Sequence, residues 1–223
     1  PDMYIFRPIF VDGILSAWSV GGGHQRDVGG MTPGSCPTNA TDIQQEGLRL
    51  PPLKLYERGE PNKTLFTILT AASRMPDIVT SDIGAYVGAC IVGETRFIEL
   101  AQEYGRGNLD GYLEELLNYT ERMARAEISN LPDGAYSFED HLDDDGVNAD
   151  HRVNIKLTIT VEGNALTYDF AGTHAQVNSS MNNPIGSTRS AVVTAVRSMM
   201  GNDVPRNGGA WRPVTLKVPH GSI

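Results

Sequence analysis

One stretch constrains the fold more than any other. Val153, Ile155, Leu157, Ile159 and Val161 alternate with polar residues, Glu162-Gly163-Asn164 turns the chain, and Leu166, Tyr168 and Phe170 alternate again. In an extended chain successive side chains point to opposite faces, so a period of two predicts a half-buried antiparallel hairpin with its apolar face against a core. A second hairpin is predicted near the start. Tyr4-Ile5-Phe6 with Ile9-Phe10-Val11, and Ile14-Leu15 with Ala17-Trp18, flank Asp12-Gly13, a pair suited to the two positive φ angles of a type I′ turn.

Helical spacing appears between the hairpins. Ile83, Val87, Cys90 with Ile91, Phe97 with Ile98, Ala101 and Tyr104 recur on one face, which predicts a helix over 83–104 with Asp82 as N-cap and Gly105 as its stop. Tyr112, Leu113, Leu116, Leu117, Met123 and Ala124 predict another over 109–128. The short Gly105-Arg106-Gly107-Asn108 link suggests that the two form an antiparallel pair. A further helix is expected over 188–200, and Val214–Val218 reads as a strand. The expected class is α+β: antiparallel hairpins and sheet, a helical pair, and a C-terminal helix. The chain is treated as one region, 1–223, with expected segments 1–81 (glycine-rich loop and sheet), 82–131 (helical pair) and 132–223 (hairpin and helix).

Charge and cysteine content exclude several functions. Eighteen Lys and Arg against 27 Asp and Glu give a net charge of −9, a balance that repels a phosphate backbone or an anionic bilayer. Nucleic acid and membrane are therefore not expected partners. Two cysteines, Cys36 and Cys90, in no CxxC arrangement, signal neither a disulfide framework nor a cysteine zinc site and fit a cytoplasmic setting. No apolar run is long enough to cross a bilayer. Both ends abut strand-like runs, Met3–Phe10 and Val214–Val218, so both are expected to have been cut from a longer polypeptide.

The candidate chemistry sits in a glycine-rich stretch, Gly21 to Pro37, read as a loop. His24 and Asp27 lie three apart there, and Glu46 follows in Gln44-Gln45-Glu46-Gly47. Imidazole and carboxylate are suitable donors for Zn²⁺, Mn²⁺ or Fe²⁺ with open coordination positions; equally, Asp27 could cap a turn and His24 be an ordinary loop histidine. The acidic run Glu139–Gly146 fails the EF-hand spacing, because position twelve would be Arg152, and it reads as a solvated turn. Neither G-x-G-x-x-G nor G-x-x-x-x-G-K-S/T occurs, so no nucleotide site is expected in this chain.

His24-Gln25-Arg26-Asp27-Val28-Gly29-Gly30-Met31-Thr32-Pro33-Gly34-Ser35 resembles the His-His-Ala-Asp-Ile-Gly-Gly loop and following Pro-Gly-Ser of the hydantoinase B/oxoprolinase family. The resemblance continues through Gln44–Arg49, Asp169–Thr173, Asn182-Asn183-Pro184 with the helix after it, and Asn207–Val214 up to Ser222. It implies the B-type component of an ATP-dependent enzyme that opens cyclic amides such as hydantoins or 5-oxoproline. ATP and Mg²⁺ would be held by a hydantoinase A-type partner. It also implies a divalent metal, Zn or Mn, with His24, Asp27, Glu46 and Asp2 as candidate ligands, and Glu46 and Asp27 as candidate catalytic groups with Glu46 as base.

Gln25 stands where the family has a second histidine, which puts the metal set in question. A ketone (acetone or acetophenone) carboxylase subunit and a catalytically silent assembly subunit are the alternatives. The resemblance further suggests that His24, Asp27 and Glu46 converge on one site. Replacing Asp27 with Ala is then expected to abolish turnover while leaving folding nearly intact.

Overall fold

Asp12 and Gly13 adopt φ of 51° and 76°, the left-handed pair that a tight hairpin needs. They join β1 (Asp2–Val11) to β2 (Ile14–His24), antiparallel with Tyr4 opposite Gly22 and Pro8 opposite Trp18. The computed structural model describes residues 1–223. They divide into two compact units, Pro1–Leu109 and Asp110–Ile223.

In the first unit a small hairpin, β3 (Tyr56–Glu57) with β4 (Glu60–Pro61), precedes α1 (Lys63–Ala72) and the long α2 (Pro76–Tyr104). Asn62 caps α1, its side chain accepting from Leu65 N at 3.1 Å. Leu65, Leu69, Val79 and Ile83 form the core, with Met3 and Ile5 of the ribbon packed against it. Alternation therefore turns Met3 and Ile5 inward, while Tyr4 (61 % exposed), Phe6 (62 %) and Trp18 (55 %) stay exposed.

Two expectations change in this unit. Gly21, Gly22 and Gly23 belong to β2 rather than to a loop. A Cβ at Gly21 would lie 2.9 Å from Tyr86 O and 3.2 Å from Cys90 Sγ, and one at Gly23 would lie 2.9 Å from Tyr86 Oη. Gly21 and Gly23 serve close approach of ribbon to helix, not turning. The helix α2 begins at Pro76 instead of Ile83, and Asp82 lies in its interior; proline is tolerated at the first helical position because its missing N–H would be unpaired there anyway.

The second unit contains most of α3 (Arg106–Ile128), then β5 (Gly134–Leu142), β6 (Val153–Glu162), β7 (Ala165–Asp169), α4 (Ile185–Met199) and β8 (Val214–Lys217). The sheet order is β5-β6-β7-β8. The expected β6–β7 hairpin is present, turning at Gly163 with φ 60°. Its core joins Ala124 and Ile128 of α3, Val161 of β6, Leu166 and Tyr168 of β7, Val192 and Val196 of α4, and Val214 of β8.

Three more expectations change here. The sheet is not wholly antiparallel: β8 pairs parallel to β7, because α4 carries the chain across in a β-α-β connection. The acidic run is not wholly a solvated turn. Glu139 and Asp140 lie within β5, and Asp145 is buried, accepting from Val147 N, Asn148 N and Asn148 Nδ2. The helices α2 and α3, expected as an antiparallel pair, bury their apolar residues in the cores of different units; they are separated by Gly105 alone, with φ 77°.

Candidate functional site

Beyond β2 the chain enters the glycine loop with Gln25, whose N–H donates to Pro1 O at 2.7 Å. Two short segments then cross. Met31 N donates to Gln45 O and Leu48 N to Val28 O, each at 2.8 Å. This crossing demands glycine: Gly30 has φ 83°, and a Cβ there would lie 2.5 Å from Gln45 O. The second segment is a 3-10 turn, Ile43–Glu46, closed by a capping box in which Asp42 accepts from the backbone and Gln45 reaches back.

Asp27 organises the first segment. The residue is 1 % exposed, and its carboxylate accepts from Gly29 N (3.0 Å), Gly34 N (2.9 Å), Arg74 N (2.9 Å) and Arg74 Nη1 (2.9 Å). Burial alone would push this carboxyl up, but the donors from Arg74, Gly34 and Gly29 together outweigh it and hold Asp27 well below the usual carboxylate range. Arg74 also donates to Gly29 O, Gly30 O and Thr32 O. Ser35 completes the knot: Val28 N donates to its Oγ at 2.8 Å, and that hydroxyl donates to Gly29 O at 2.7 Å.

His24 behaves differently. It ends β2 directly opposite Asp2, and its Nδ1 lies 3.2 Å from Asp2 Oδ1, with both side chains more than half exposed. Glu46 is half-buried and its side chain has no hydrogen-bond or ion-pair partner. Gln25, in the place of the family's second histidine, is completely buried. Its Nε2 donates to Gly23 O and Tyr86 Oη, both at 3.4 Å, and its Oε1 is buried without a partner.

The expected metal ligands are thus separated by role. His24 and Asp2 meet, whereas Asp27 is saturated by four donors from its own loop and Arg74. No group of three or more His, Cys, Asp or Glu side chains is arranged to hold a metal ion. The donors of this chain therefore do not fit a complete Zn or Mn site, which needs three or more protein ligands. Sequence reasoning misses Arg74: it lies 47 residues from Asp27, and nothing local marks it. The buried Ser35 is missed as well, and its place after Pro33-Gly34 is the turn signal that could have found it.

A hydantoinase B/oxoprolinase family model matches residues 1–223. The chain is 36% identical over 237 residues to the B-type subunit of the "Putative D-/L-hydantoinase" of Pseudomonas sp. (strain NS671), covering 100% of this chain and 40% of that protein. It is 28% identical to 5-oxoprolinase 1 of Arabidopsis thaliana, covering 100% of this chain and 19% of that one. The crystal structure of ATP-dependent caprolactamase from Pseudomonas jessenii superposes with a TM-score of 0.89 at 29% identity, over 99% of this chain and 38% of that chain. This chain therefore spans two fifths or less of the length of each. No helix is long and apolar enough to cross a membrane.

Proposed function

The chain belongs to the hydantoinase B/oxoprolinase family, and on that premise we propose that it forms part of an ATP-dependent enzyme that hydrolyses cyclic amides. It acts as the B-type component beside an ATP-binding A-type partner. The observation that carries this reading is the breadth of the likeness: one family model spans residues 1–223, and the relatives are named for opening a hydantoin, an oxoproline and a caprolactam. Those rings differ in size and substituents and share the ring amide.

An amide is stabilised by resonance, so direct attack by water is slow and coupling to ATP is chemically sensible. Phosphorylation of the ring amide by the A-type partner would convert a poor electrophile into a good one. The B-type component then has to supply a proton acceptor for the attacking water and a surface that orients the activated ring. In this chain Asp2 orients the imidazole of His24, and Glu46 offers an unpartnered carboxylate on the crossing segment. Asp27 acts as a positioning residue, through Arg74 and the loop amides.

The test is reconstitution with the A-type partner and an assay of hydantoin, 5-oxoproline, caprolactam and simple ketones. The expected result is release of a ring-opened acid that requires ATP. Bicarbonate-dependent consumption of a ketone, with every ring untouched, would replace this reading with a carboxylase. No turnover of any substrate by a complex that binds ATP would leave an assembly role.

A further inference from the structure

The second unit contains a cavity remote in sequence from the glycine loop. It measures about 510 Å³ and lies between α4 and the segment that leads to β8. Arg189, Val193 and Arg197 project from one face of α4, four residues apart, and Met200 follows at its C-cap, while Arg206 and Trp211 also line the cavity. A volume of this size suits a small organic ligand.

The electrostatics are unusual for this chain. Acidic residues outnumber basic ones by 27 to 18, yet three guanidinium groups gather here and none of them has a hydrogen-bond or ion-pair partner. Nη1 of Arg197 is buried with no acceptor. A buried donor normally finds a partner, because leaving it unpaired forfeits its hydration without return. Arg197 is thus a cavity-lining cation whose charge no protein group answers, in an otherwise apolar cavity.

We propose that this cavity binds a small organic carboxylate with a compact apolar body. The carboxylate accepts from Arg197, in the planar geometry that guanidinium and carboxylate share, and the hydrocarbon rests on Val193, Met200 and Trp211. Arg189 and Arg206, both exposed, draw the anion toward the opening. A monoanion suits the site better than phosphate, whose additional charged oxygens would meet apolar wall and go unpaired. Opening a cyclic amide also yields a carboxylate on a hydrocarbon body, but the binding proposed here does not depend on that reaction.

Calorimetric titration of the purified protein with hexanoate tests this directly, with hexanol and inorganic phosphate as comparisons. Hexanoate is expected to bind with a dissociation constant of about 1 mM or below, and hexanol and phosphate at least about tenfold more weakly. Arg197→Gln is expected to weaken hexanoate about tenfold or more, with Arg189→Gln and Arg206→Gln having smaller effects. Val193→Trp, which fills the cavity, is expected to abolish binding with the melting temperature retained. The proposal is overturned if hexanoate shows no saturable binding, if hexanol or phosphate binds as tightly, or if folded Arg197→Gln and Val193→Trp proteins bind like the parent.

Discussion

Arg74 Nη1 lies 2.9 Å from Asp27 Oδ2, and the same residue's backbone N–H reaches Asp27 Oδ1 at 2.9 Å. A residue just after α1 thus grips a loop 47 positions earlier through both main chain and side chain. The carboxylate is 2 % exposed and the guanidinium side chain 43 % exposed, so the pair is buried on one side only. Removing either partner has asymmetric consequences.

Asp27→Asn keeps the shape but removes the charge that four donors address. Because the carboxylate is buried and hydrogen-bonded, the expected loss is roughly 3 kcal/mol. Arg74→Met leaves the Asp27 carboxylate three backbone donors and should cost less, about 1–2 kcal/mol. The double variant should cost clearly less than the sum, since each single change already breaks the shared contact. Urea denaturation of the four proteins measures this coupling, and strict additivity would mean that the contact contributes nothing. Burial makes Asp27 part of the loop's core, so its replacement is expected to cost stability rather than to leave folding nearly intact, as its place in a loop suggests.

The same residue sets a pH dependence. Asp27 is held below the ordinary carboxylate range when folded, so its contribution to stability is complete above the unfolded-state pKa of about 3.9 and is lost as pH falls below it. Asp145, held low chiefly by hydrogen bonds from Asn148, behaves in the same direction in the second unit. The stability gap between the parent and Asp27→Asn should be wide at neutral pH and narrow toward about pH 3. Denaturation midpoints at a series of pH values check this; a gap that stays constant or widens on acidification would contradict it.

How much of this is legible in the sequence depends on whether the signal is local. The β1–β2 and β6–β7 hairpins are marked by Asp12-Gly13, Gly163-Asn164 and strict alternation, because one face of each strand meets a core. The strand β5 carries no such pattern, since nearly all of Gly134–Leu142 is exposed and nothing selects one face. The helix α1 escapes a local reading because Thr64, Thr67, Ile68 and Thr70 are β-branched and dilute helical propensity; packing on Val79 and Ile83 overrides it. The Asp27–Arg74 contact and the parallel pairing of β8 join residues far apart in sequence, which no local spacing encodes. At the candidate site, the glycine loop is legible as the place, but the division of labour between a buried Asp27 and an exposed His24 is not.

Gly30 offers a sharper test of the loop's construction. Its φ of 83° and the crossing backbone of Gln45 to Gly47 leave no room for a methyl group. Gly30→Ala is expected to destabilise the protein by about 2 kcal/mol and to open the Met31 to Gln45 hydrogen bond. Amide exchange at Met31 and Leu48 reports this, and unchanged protection would show that the crossing adapts more easily than its geometry implies.

The central claim is that His24, oriented by Asp2, serves the reaction while Asp27 and Arg74 hold the loop that carries it. The most direct measurement is the rate of ATP-dependent ring opening by the reconstituted complex carrying His24→Gln, set beside its melting temperature. His24 is exposed and its side chain meets Asp2, so the account predicts a melting temperature close to the parent's and kcat/KM lower by about a hundredfold or more. A complex that turns over within about twofold of the parent would contradict it, because a group that takes part in proton transfer at the reacting atoms contributes far more than that.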